Sequence, residues 1–503
     1  MSRIRFVWTI VLAAAASVLA EPKSGDVFRE YHMFGMKSDG DREWILYVSY
    51  HGTGKGSTGD RFVEGVDLNA ATKAEFVAIH WGGHIGSDKR RIIFNDNPAV
   101  ELPLIQNTPT QPQCYFSQQC HAACEIPLSH LKPGTNAFRL AVDNQICYSF
   151  NWGWFWTYQA ILRVYYDPSE VSHPSGKMAV PSSGSVITDG AEVSCDARSP
   201  DSEVDRVEFV GWYKDFSWEG SGQFTQWHWG HWRTDENMKF HIGTATGGDR
   251  SVSWDNRWVP DQDGIQIAAR VRDRNGYIYM TDPVESIRLT HGDKIVKMYP
   301  AKDVPENFAT QTGSKSCTIN VPDDQKGVLD AKLVVTTFSG GSADREGYLN
   351  NSLINKGGWG EWHQVGLCQY PVETDAINKG DNTFEIRANY AGHHAFEVNW
   401  PGPVLFVEYE NDNPLTTQTS RTALQEAGTN VALSAGGLAV HNPSGREYSV
   451  RVMSLDGRTI LSTRGSGTRQ HHEMSPGSLT RGLYVVHLRS RDRQSTLRMA
   501  VIR

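Results

Sequence analysis

The stretch FTQWHWGHWRT, residues 224–234, holds the densest set of side chains in the chain that could bind a ligand or do chemistry. Three tryptophans and two histidines occupy six consecutive positions: Trp227, His228, Trp229, His231 and Trp232. On a strand they would alternate between two faces. Indole rings offer flat apolar area with a polar tip, which suits stacking on the C–H faces of sugars. The alternatives are that the rings pack between domains, or that the histidines bind a metal.

A metal is the least favoured of these three interpretations. His228 and His231 are three positions apart, a usable spacing. No cysteine lies near them, and only Asp235 and Glu236 could complete a ligand set. We therefore predict no metal site here.

A second aromatic stretch, NWGWFWTY at 151–158, alternates Trp152, Trp154, Trp156 and Tyr158 on one face of a strand. If this face is exposed, it would be a binding platform. If it is buried, it would be part of the hydrophobic core. The predicted ligand-binding residues from both stretches are Trp154, Trp156, Trp227, Trp229 and Trp232.

Four histidines are the candidates for catalysis, although the chemistry itself stays unknown. His80 and His84 lie in IHWGGHIGSD, where Asp88 or Asp143 could orient an imidazole. Solvated loop histidines are the alternative interpretation. The other two candidates are His228 and His231. We find no nucleophile elbow, no His-Glu-x-x-His and no phosphate loop, whereas paired carboxylates on separate strands leave no spacing signal.

The elements that must position these residues are short strands. Runs such as VEFVGWY, IQIAARVRD and VLFVEYE are β-branched or aromatic and are bounded by Gly, Pro, Asn and Asp. Many short strands with frequent turns predict sandwiches or barrels.

An internal repeat defines the architecture. AEFVAIHWGG (74–83) matches AKLVVTTFSGG (331–341), and PGTNAFRL (133–140) matches KGDNTFEI (379–386). YSFNW and LRVYYD then match FEVNW and LFVEYE in the same order. Trp154 and Trp156 have no counterpart in the second copy, which favours a role specific to the first. One β-domain is therefore used twice.

Between the copies, VEFV, IGT, SVSWD and IAARVRDRNG follow one another within residues 184–289. This order resembles an immunoglobulin-like domain attached to bacterial glycan-active enzymes. The chain departs from that pattern by an aromatic insertion, residues 213–237, which contains the opening stretch. The repeated domain resembles galactose-binding-like jelly rolls that act as carbohydrate-binding modules. That resemblance implies no catalytic residue and allows a structural calcium ion on a loop.

Both ends of the chain indicate export. Arg3 and Arg5 precede an apolar run too short for a bilayer, and Val18-Leu19-Ala20 is a small-residue cleavage pattern. Near the other end, HNPSGREYSVRVMSLDGRTILS and RGLYVVHLRS resemble the C-terminal sorting domain of the Bacteroidetes-type (type IX) secretion system. The resemblance implies that this secretion machinery is a partner and that the protein is secreted or held at the cell surface.

Composition agrees with an exported chain of several domains. The net charge of -8, spread without long runs, argues against nucleic acid as a partner. Seven cysteines suit an oxidising compartment. We predict two bridges among Cys114, Cys120, Cys124 and Cys147 with the pairing open, one between Cys317 and Cys368, and a free Cys195. Zinc on Cys120, His121 and Cys124 is a weaker alternative because a second ligand pair is missing.

The sequence therefore predicts an all-β multidomain chain: two jelly-roll-type sandwiches flanking an immunoglobulin-like sandwich, plus a small C-terminal β-sandwich. The expected segments are a signal peptide (1–20), copy one (21–170), the immunoglobulin-like domain (171–292), copy two (293–411), a linker (412–433) and the sorting domain (434–503). The expected function is binding of an extracellular polysaccharide by aromatic platforms, without a membrane span. The alternatives are a glycoside hydrolase or lyase, with its site between copy one and the insertion, and a structural adhesin.

Overall fold

The computed structural model describes residues 22–33, 46–51, 56–81, 87, 89–103, 108–109, 114–143, 145, 147, 152–231, 237–338, 345–360, 365–389, 396–411, 430–434, 437–441, 447–454, 459–466, 469–473, 482–490 and 493–501. Within these ranges the regular elements are strands and two short 3-10 helices. Their sheets are mostly antiparallel, so the predicted all-β multidomain class is confirmed. In the same ranges no helix has the length and apolar character needed to cross a membrane.

Copy one is a sandwich of two sheets around a single apolar core. Its strands are β1 (Val27–His32), β2 (Leu46–His51), β3 (Gly56–Ser57), β4 (Arg61–Val66), β5 (Ala71–Trp81), β6 (Arg91–Phe94), β7 (Val100–Glu101), β8 (Gln118–Glu125), β9 (Gly134–Val142) and β10 (Trp152–Tyr166), with a 3-10 helix at Leu128–His130.

The middle unit has its own core, built on a long pair of strands, β14 and β20. Its strands are β11 (Ser175–Val180), β12 (Val186–Ile187), β13 (Glu192–Arg198), β14 (Val204–Lys214), β15 (Thr225–His228), β16 (Gly230–His231), β17 (Met238–Lys239), β18 (Gly243–Ala245), β19 (Ser251–Ser253), β20 (Gln262–Asp273), β21 (Ile278–Met280) and β22 (Val284–Leu289). β15 and β16 belong to the aromatic insertion, and β17, which pairs with β16, follows directly after it.

Copy two repeats the sandwich, and the C-terminal segment forms two small sheets. The strands of copy two are β23 (Lys294–Lys302), β24 (Ala309–Thr310), β25 (Thr312–Val321), β26 (Val328–Phe338), β27 (Arg345–Leu349), β28 (Ser352–Lys356), β29 (Val365–Pro371), β30 (Gly380–Asn389), β31 (Phe396–Val398) and β32 (Val404–Glu410), with a 3-10 helix at Thr374–Ala376. The C-terminal strands are β33 (Asn430–Ser434), β34 (Gly437–His441), β35 (Tyr448–Ser454), β36 (Thr459–Gly465), β37 (Arg469–Glu473), β38 (Gly482–Ser490) and β39 (Arg493–Val501).

The repeat extends to strand register and to individual hydrogen bonds. Leu162 pairs with Phe76 across β10 and β5, and the matching Leu405 pairs with Leu333 across β32 and β26. A buried asparagine occupies the repeated turn in each copy. Asn136 accepts a hydrogen bond from Asn95 at 2.7 Å in copy one, and Asn382 accepts one from Asn350 at 2.6 Å in copy two. The side-chain amide of this asparagine therefore stabilises the turn in each copy, because it forms hydrogen bonds that strand pairing does not provide.

Copy one and the middle unit share one sheet. β1 pairs with β10 on one side and with β21 on the other, where Phe28 lies opposite Ile278. The 12-stranded sheet that results runs through both units. The sequence predicted two separate sandwiches and gave no sign of this continuity; the segment boundaries themselves stay predictions.

The two copies also touch each other through equivalent residues. Trp81 at the end of β5 stacks on Phe338 at the end of β26, with ring centroids 3.7 Å apart and planes 7° from parallel. These two positions match in the repeat, so the contact is close to self-complementary, as at a two-fold interface. Trp156 meets the same Phe338 ring edge-on.

Among the described side chains, which do not include that of Cys120, the cysteines form fewer bridges than predicted. Cys114 and Cys147 are bonded, whereas Cys124, Cys317 and Cys368 are free thiols, and Cys195 is free as predicted. The prediction of a late bridge was wrong, as was that of a second early one. Cys317 lies on β25 and Cys368 on β29, strands that do not pair with each other, and each is buried in the copy-two core as a small apolar side chain.

The stack between the copies provides a test of their association. Substituting Phe338→Ala removes a ring that both Trp81 and Trp156 contact, and we expect a loss of about 3–5 kcal/mol in the free energy of unfolding. Chemical denaturation followed by fluorescence measures it. Leu353→Ala, at a side chain that is 53% exposed, is the control and should change little. Equal effects of the two substitutions would contradict a packed interface between the copies.

Candidate functional site

The shared sheet carries a charged strip on the face that turns away from both sandwich cores. Along β1, Val27 and Tyr31 face the core of copy one, while Phe28 and Glu30 face the other way. Neighbouring strands of both units contribute side chains to the same face. These include Arg163 on β10, Glu75 on β5, Glu208 on β14 and Arg270 on β20.

Glu30 is the centre of this strip. Its Oε1 accepts hydrogen bonds from Arg163 Nη2 at 2.8 Å and Nε at 3.1 Å, and its Oε2 accepts one from Arg270 Nη2 at 2.6 Å. All three side chains are buried. Burial alone would raise the pKa of the Glu30 carboxyl, but Arg270 and Arg163 hold that pKa well below its usual range. The carboxylate is therefore charged, and it neutralises one arginine from each unit.

Glu75 and Glu208 complete the ionic network. Glu75 accepts a hydrogen bond from Tyr165 at 2.8 Å and lies 3.5 Å from Arg163 Nη1. Glu208 accepts one from Arg206 at 2.8 Å. Buried charges are tolerated only when they are paired in this way.

The aromatic insertion covers the charged strip. The Trp229 ring stacks on His121 at 3.8 Å, and the guanidinium carbons of Arg163 and Arg270 lie 5.2 Å and 5.4 Å from its centroid. These distances are those of cation–π contacts. His231 follows on β16, with Nε2 3.8 Å from Glu30 Oε2. The insertion thus caps the ionic network with an indole that contacts charges of both units.

His228 is held on the other side of the insertion. It is fully buried, its Nε2 donates to the backbone carbonyl of Tyr213 at 2.8 Å, and the Tyr213 ring packs on it. Burial lowers the pKa of the imidazole to about 4, although the carbonyl opposes this. His228 is therefore a neutral structural group.

The predicted binding residues fall into three groups. Trp156 and Trp229 are 1% and 2% exposed and contact protein on their faces, so neither is an open platform. Trp156 and Trp229 therefore follow the alternative interpretation, in which the rings pack inside the protein. Trp227 is half-buried. Trp232 and the side chain of Trp154 lie outside the described residues.

The predicted catalytic histidines are not brought together at a surface. His80, His228 and His231 are all at most 1% exposed, and a polymer has no path to an imidazole enclosed in this way. His84 lies outside the described residues. His231 approaches a charged partner, Glu30, and that carboxylate is already held by two arginines.

An aromatic pair that the sequence interpretation overlooked lies at the open edge of the insertion. Trp212 on β14 is directly opposite Trp227 on β15, and their rings meet edge-to-face at 6.2 Å. Both are half-buried. Gln266 of β20 lies opposite Trp212 on the other side. VGWYK contains only one tryptophan, so sequence density did not mark it; its pairing with QWHW was the missing signal.

No family model and no curated protein sequence matches the chain. Solved structures match at low similarity. A β-porphyranase of glycoside hydrolase family 86 from the human gut bacterium Bacteroides plebeius is 12% identical, with 44% of this chain and 39% of that chain covered and a TM-score of 0.19.

Two further matches are of the same kind. Fibronectin(III)-like modules of Clostridium thermocellum are 9% identical over 65% of this chain and 94% of theirs, with a TM-score of 0.17. A β-glucuronidase of Faecalibacterium prausnitzii is 10% identical over 42% and 47%, with a TM-score of 0.15. The chain thus spans less than half of the length of either enzyme. At such TM-scores these similarities carry no argument about function.

The ionic centre can be tested by removing one charge. Glu30→Gln removes the carboxylate that accepts hydrogen bonds from both Arg163 and Arg270 and leaves the buried network one negative charge short, and we expect it to cost about 3–5 kcal/mol of unfolding free energy. Chemical denaturation of the purified variant measures this loss. Glu203→Gln, which breaks an exposed pair with Arg274, is the matched control and should have no measurable effect. A Glu30→Gln protein as stable as its parent would show that the network does not hold the junction.

The neutral state of His228 predicts a pH dependence of stability. Its folded pKa lies below the unfolded value of about 6.5, so the unfolded chain binds more protons between these values. Stability is therefore present above pH 6.5 and is lost as the pH falls towards 4, by about 1.4 kcal/mol per pH unit from this group. His228→Gln keeps a donor for the Tyr213 carbonyl. Denaturation midpoints between pH 4 and 7 should fall less steeply in the variant; parallel curves would contradict the assignment.

Proposed function

We propose that this protein binds an extracellular polysaccharide through the pair Trp212 and Trp227, hereafter the indole pair. The single observation that carries the proposal is the geometry of that pair. The two indoles lie side by side on the paired strands β14 and β15, and each ring is half-buried. A strand of the sheet, not a loop, holds each of them.

The chemistry of the indole pair suits a sugar chain. Partly exposed indoles offer apolar faces for pyranose C–H groups and an N–H for a hydroxyl. Gln266 beside Trp212 adds an amide that both donates and accepts hydrogen bonds. The exposed Lys214 and Thr225 form the next cross-strand pair on the same face, so polar groups continue beside the indole pair.

A rigid base is what a binding platform requires. Trp227 packs against the apolar cluster that contains Phe28 and Trp229. Its neighbour Trp212 belongs to β14, which pairs with β20 in the middle unit. Little conformational entropy is lost when such preformed side chains bind. Binding is favoured over catalysis because three of the four candidate catalytic histidines, those at positions 80, 228 and 231, are enclosed.

The place of action in this proposal is the cell exterior. The Cys114–Cys147 bridge fits an oxidising compartment. The export-like first twenty residues and the sorting-domain resemblance of the C-terminal segment support secretion or surface attachment by type IX-like machinery. The polymer and the secretion machinery are the two partners that the proposal names.

The proposal can be tested with a panel of plant, algal and bacterial polysaccharides in affinity electrophoresis and calorimetry. For a polymer that binds, we expect Trp212→Ala to weaken binding about tenfold or more, which corresponds to about 1.4 kcal/mol. Trp212→Tyr keeps an aromatic face and should retain most of the affinity. Phe62→Ala, which removes an aromatic ring that is 60% exposed elsewhere on copy one, is the control.

Two results would contradict the proposal. One is unchanged affinity of a folded Trp212→Ala protein, which would move the binding surface away from the indole pair. The other is release of oligosaccharides from the panel, detected by mass spectrometry, which would replace a binding function by an enzymatic one.

A further inference from the structure

We propose that Glu30, His32 and His231 form a binding site for one divalent transition-metal ion at the junction of copy one and the middle unit. Within the described residues these three are the one group of His, Cys, Asp or Glu side chains whose candidate ligand atoms all lie within 4.8 Å of one another. Two come from β1 and one from the insertion, so no sequence spacing marks the set.

The donor set has a defined preference. Two imidazole nitrogens and one carboxylate oxygen suit zinc, cobalt, nickel or copper, whereas calcium and magnesium prefer oxygen alone. Around zinc with ligands at about 2.0–2.2 Å, neighbouring ligand atoms of a tetrahedron lie roughly 3.4 Å apart. His231 Nε2 and Glu30 Oε2 are 3.8 Å apart, and the His32 and His231 rings are perpendicular with centroids at 4.9 Å. Small side-chain rotations therefore bring the three atoms onto one ion.

The second observation is the environment of His231. Its side chain is 1% exposed, and neither ring nitrogen has a hydrogen-bond partner within the described part of the chain. Buried polar groups are normally satisfied, and an unsatisfied one needs a reason. His228, three residues earlier on the same insertion, does have its partner, the Tyr213 carbonyl. A metal ion at the junction would satisfy one His231 nitrogen.

The arginines around Glu30 leave room for this role. Arg270 occupies Glu30 Oε2, but Glu208 Oε2 lies 3.6 Å from Arg270 Nε, and neither of those two atoms has a hydrogen-bond partner in the described ranges. Arg270 can therefore turn to Glu208 when an ion takes Oε2. Arg163 stays on Oε1 and orients the carboxylate, as outer-shell partners of metal ligands do.

Charge sets the strength of the site. The network of linked ion pairs has four carboxylates, those of Glu30, Glu75, Asp205 and Glu208, and four cations, those of Lys73, Arg163, Arg206 and Arg270, so its formal charge is 4 − 4 = 0. A divalent ion adds buried positive charge, which weakens binding. We therefore expect a strong chelator to remove the ion, and we expect the protein to lose thermal stability when the ion leaves.

The test uses the full chain without a polyhistidine tag, produced in zinc-supplemented cells so that the ion is present as the buried site forms. Elemental analysis should find about one zinc per chain, and X-ray absorption should report imidazole nitrogens and oxygen at about 2.0–2.2 Å with no sulfur. His231→Ala and His32→Gln should each lose most of the zinc. His173→Ala, which removes an imidazole outside the site, should retain it.

Three outcomes would overturn the site. Wild-type chain that carries none of zinc, cobalt, nickel or copper after supplementation with each is the first. Folded His231→Ala protein with unchanged zinc is the second. Sulfur in the absorption spectrum of the wild-type protein is the third, since it would place the ion on cysteines. The spectrum needs no variant, so the proposal stays testable even where a substitution prevents folding.

Discussion

The Glu30 carboxylate, held between Arg163 of copy one and Arg270 of the middle unit, is the interaction on which the arrangement of these two units depends. All three side chains are buried, and Arg270 reaches Glu30 only while the two units stay together. An arginine that stayed buried here without a carboxylate partner would cost far more free energy than an exposed ion pair returns. The pairing of β1 with β21 places these charges opposite one another. The ionic contact and the β1–β21 pairing thus favour the same alignment of copy one with the middle unit.

This constraint explains the crowded aromatic stretch. A charged strip on an open sheet face would be solvated, and the two units could slide. With Trp229 over it, the arginines exchange water for the indole face and for their carboxylates. The aromatic residues therefore divide into two classes. Trp81, Trp156 and Trp229 join units from inside, while Trp212 and Trp227 keep part of their rings at the surface.

The sequence was a good guide to whatever is local or repeated. Strand alternation and turn residues predicted the all-β class. The matched blocks predicted a duplication, and the matched residues Leu162 and Leu405 take equivalent places in their strand pairs. The matched blocks PGTNAFRL and KGDNTFEI each contain a buried asparagine, Asn136 or Asn382, that forms the same kind of hydrogen bond in its copy. Cys195 was correctly predicted to be free. Each of these depends on neighbours that lie close in the chain or on a visible copy.

What the sequence could not supply depends on contacts between distant segments. Glu30 and Arg270 are isolated charges within strands, and nothing near either names its partner. We selected Trp229 and Trp156 because they lie in stretches rich in aromatic residues, but both are buried. We did not select Trp212, because its position opposite Trp227 follows only from the pairing of β14 with β15. Two cysteines in one sandwich suggested a bridge, but Cys317 and Cys368 lie on strands that do not pair and are buried as free thiols. Periodicity reports which face a residue takes; it does not report what covers that face.

Hydroxyl-radical footprinting of the tryptophans tests this account most directly, because it measures the exposure of each ring in solution. The account expects Trp212 and Trp227 to be oxidised readily, and Trp156 and Trp229 to be protected until the protein unfolds. Protection of the first two should also increase when a bound polysaccharide is present. Oxidation of Trp229 as fast as that of Trp212 in the folded protein would contradict the account, since the insertion would then not cover the charged strip.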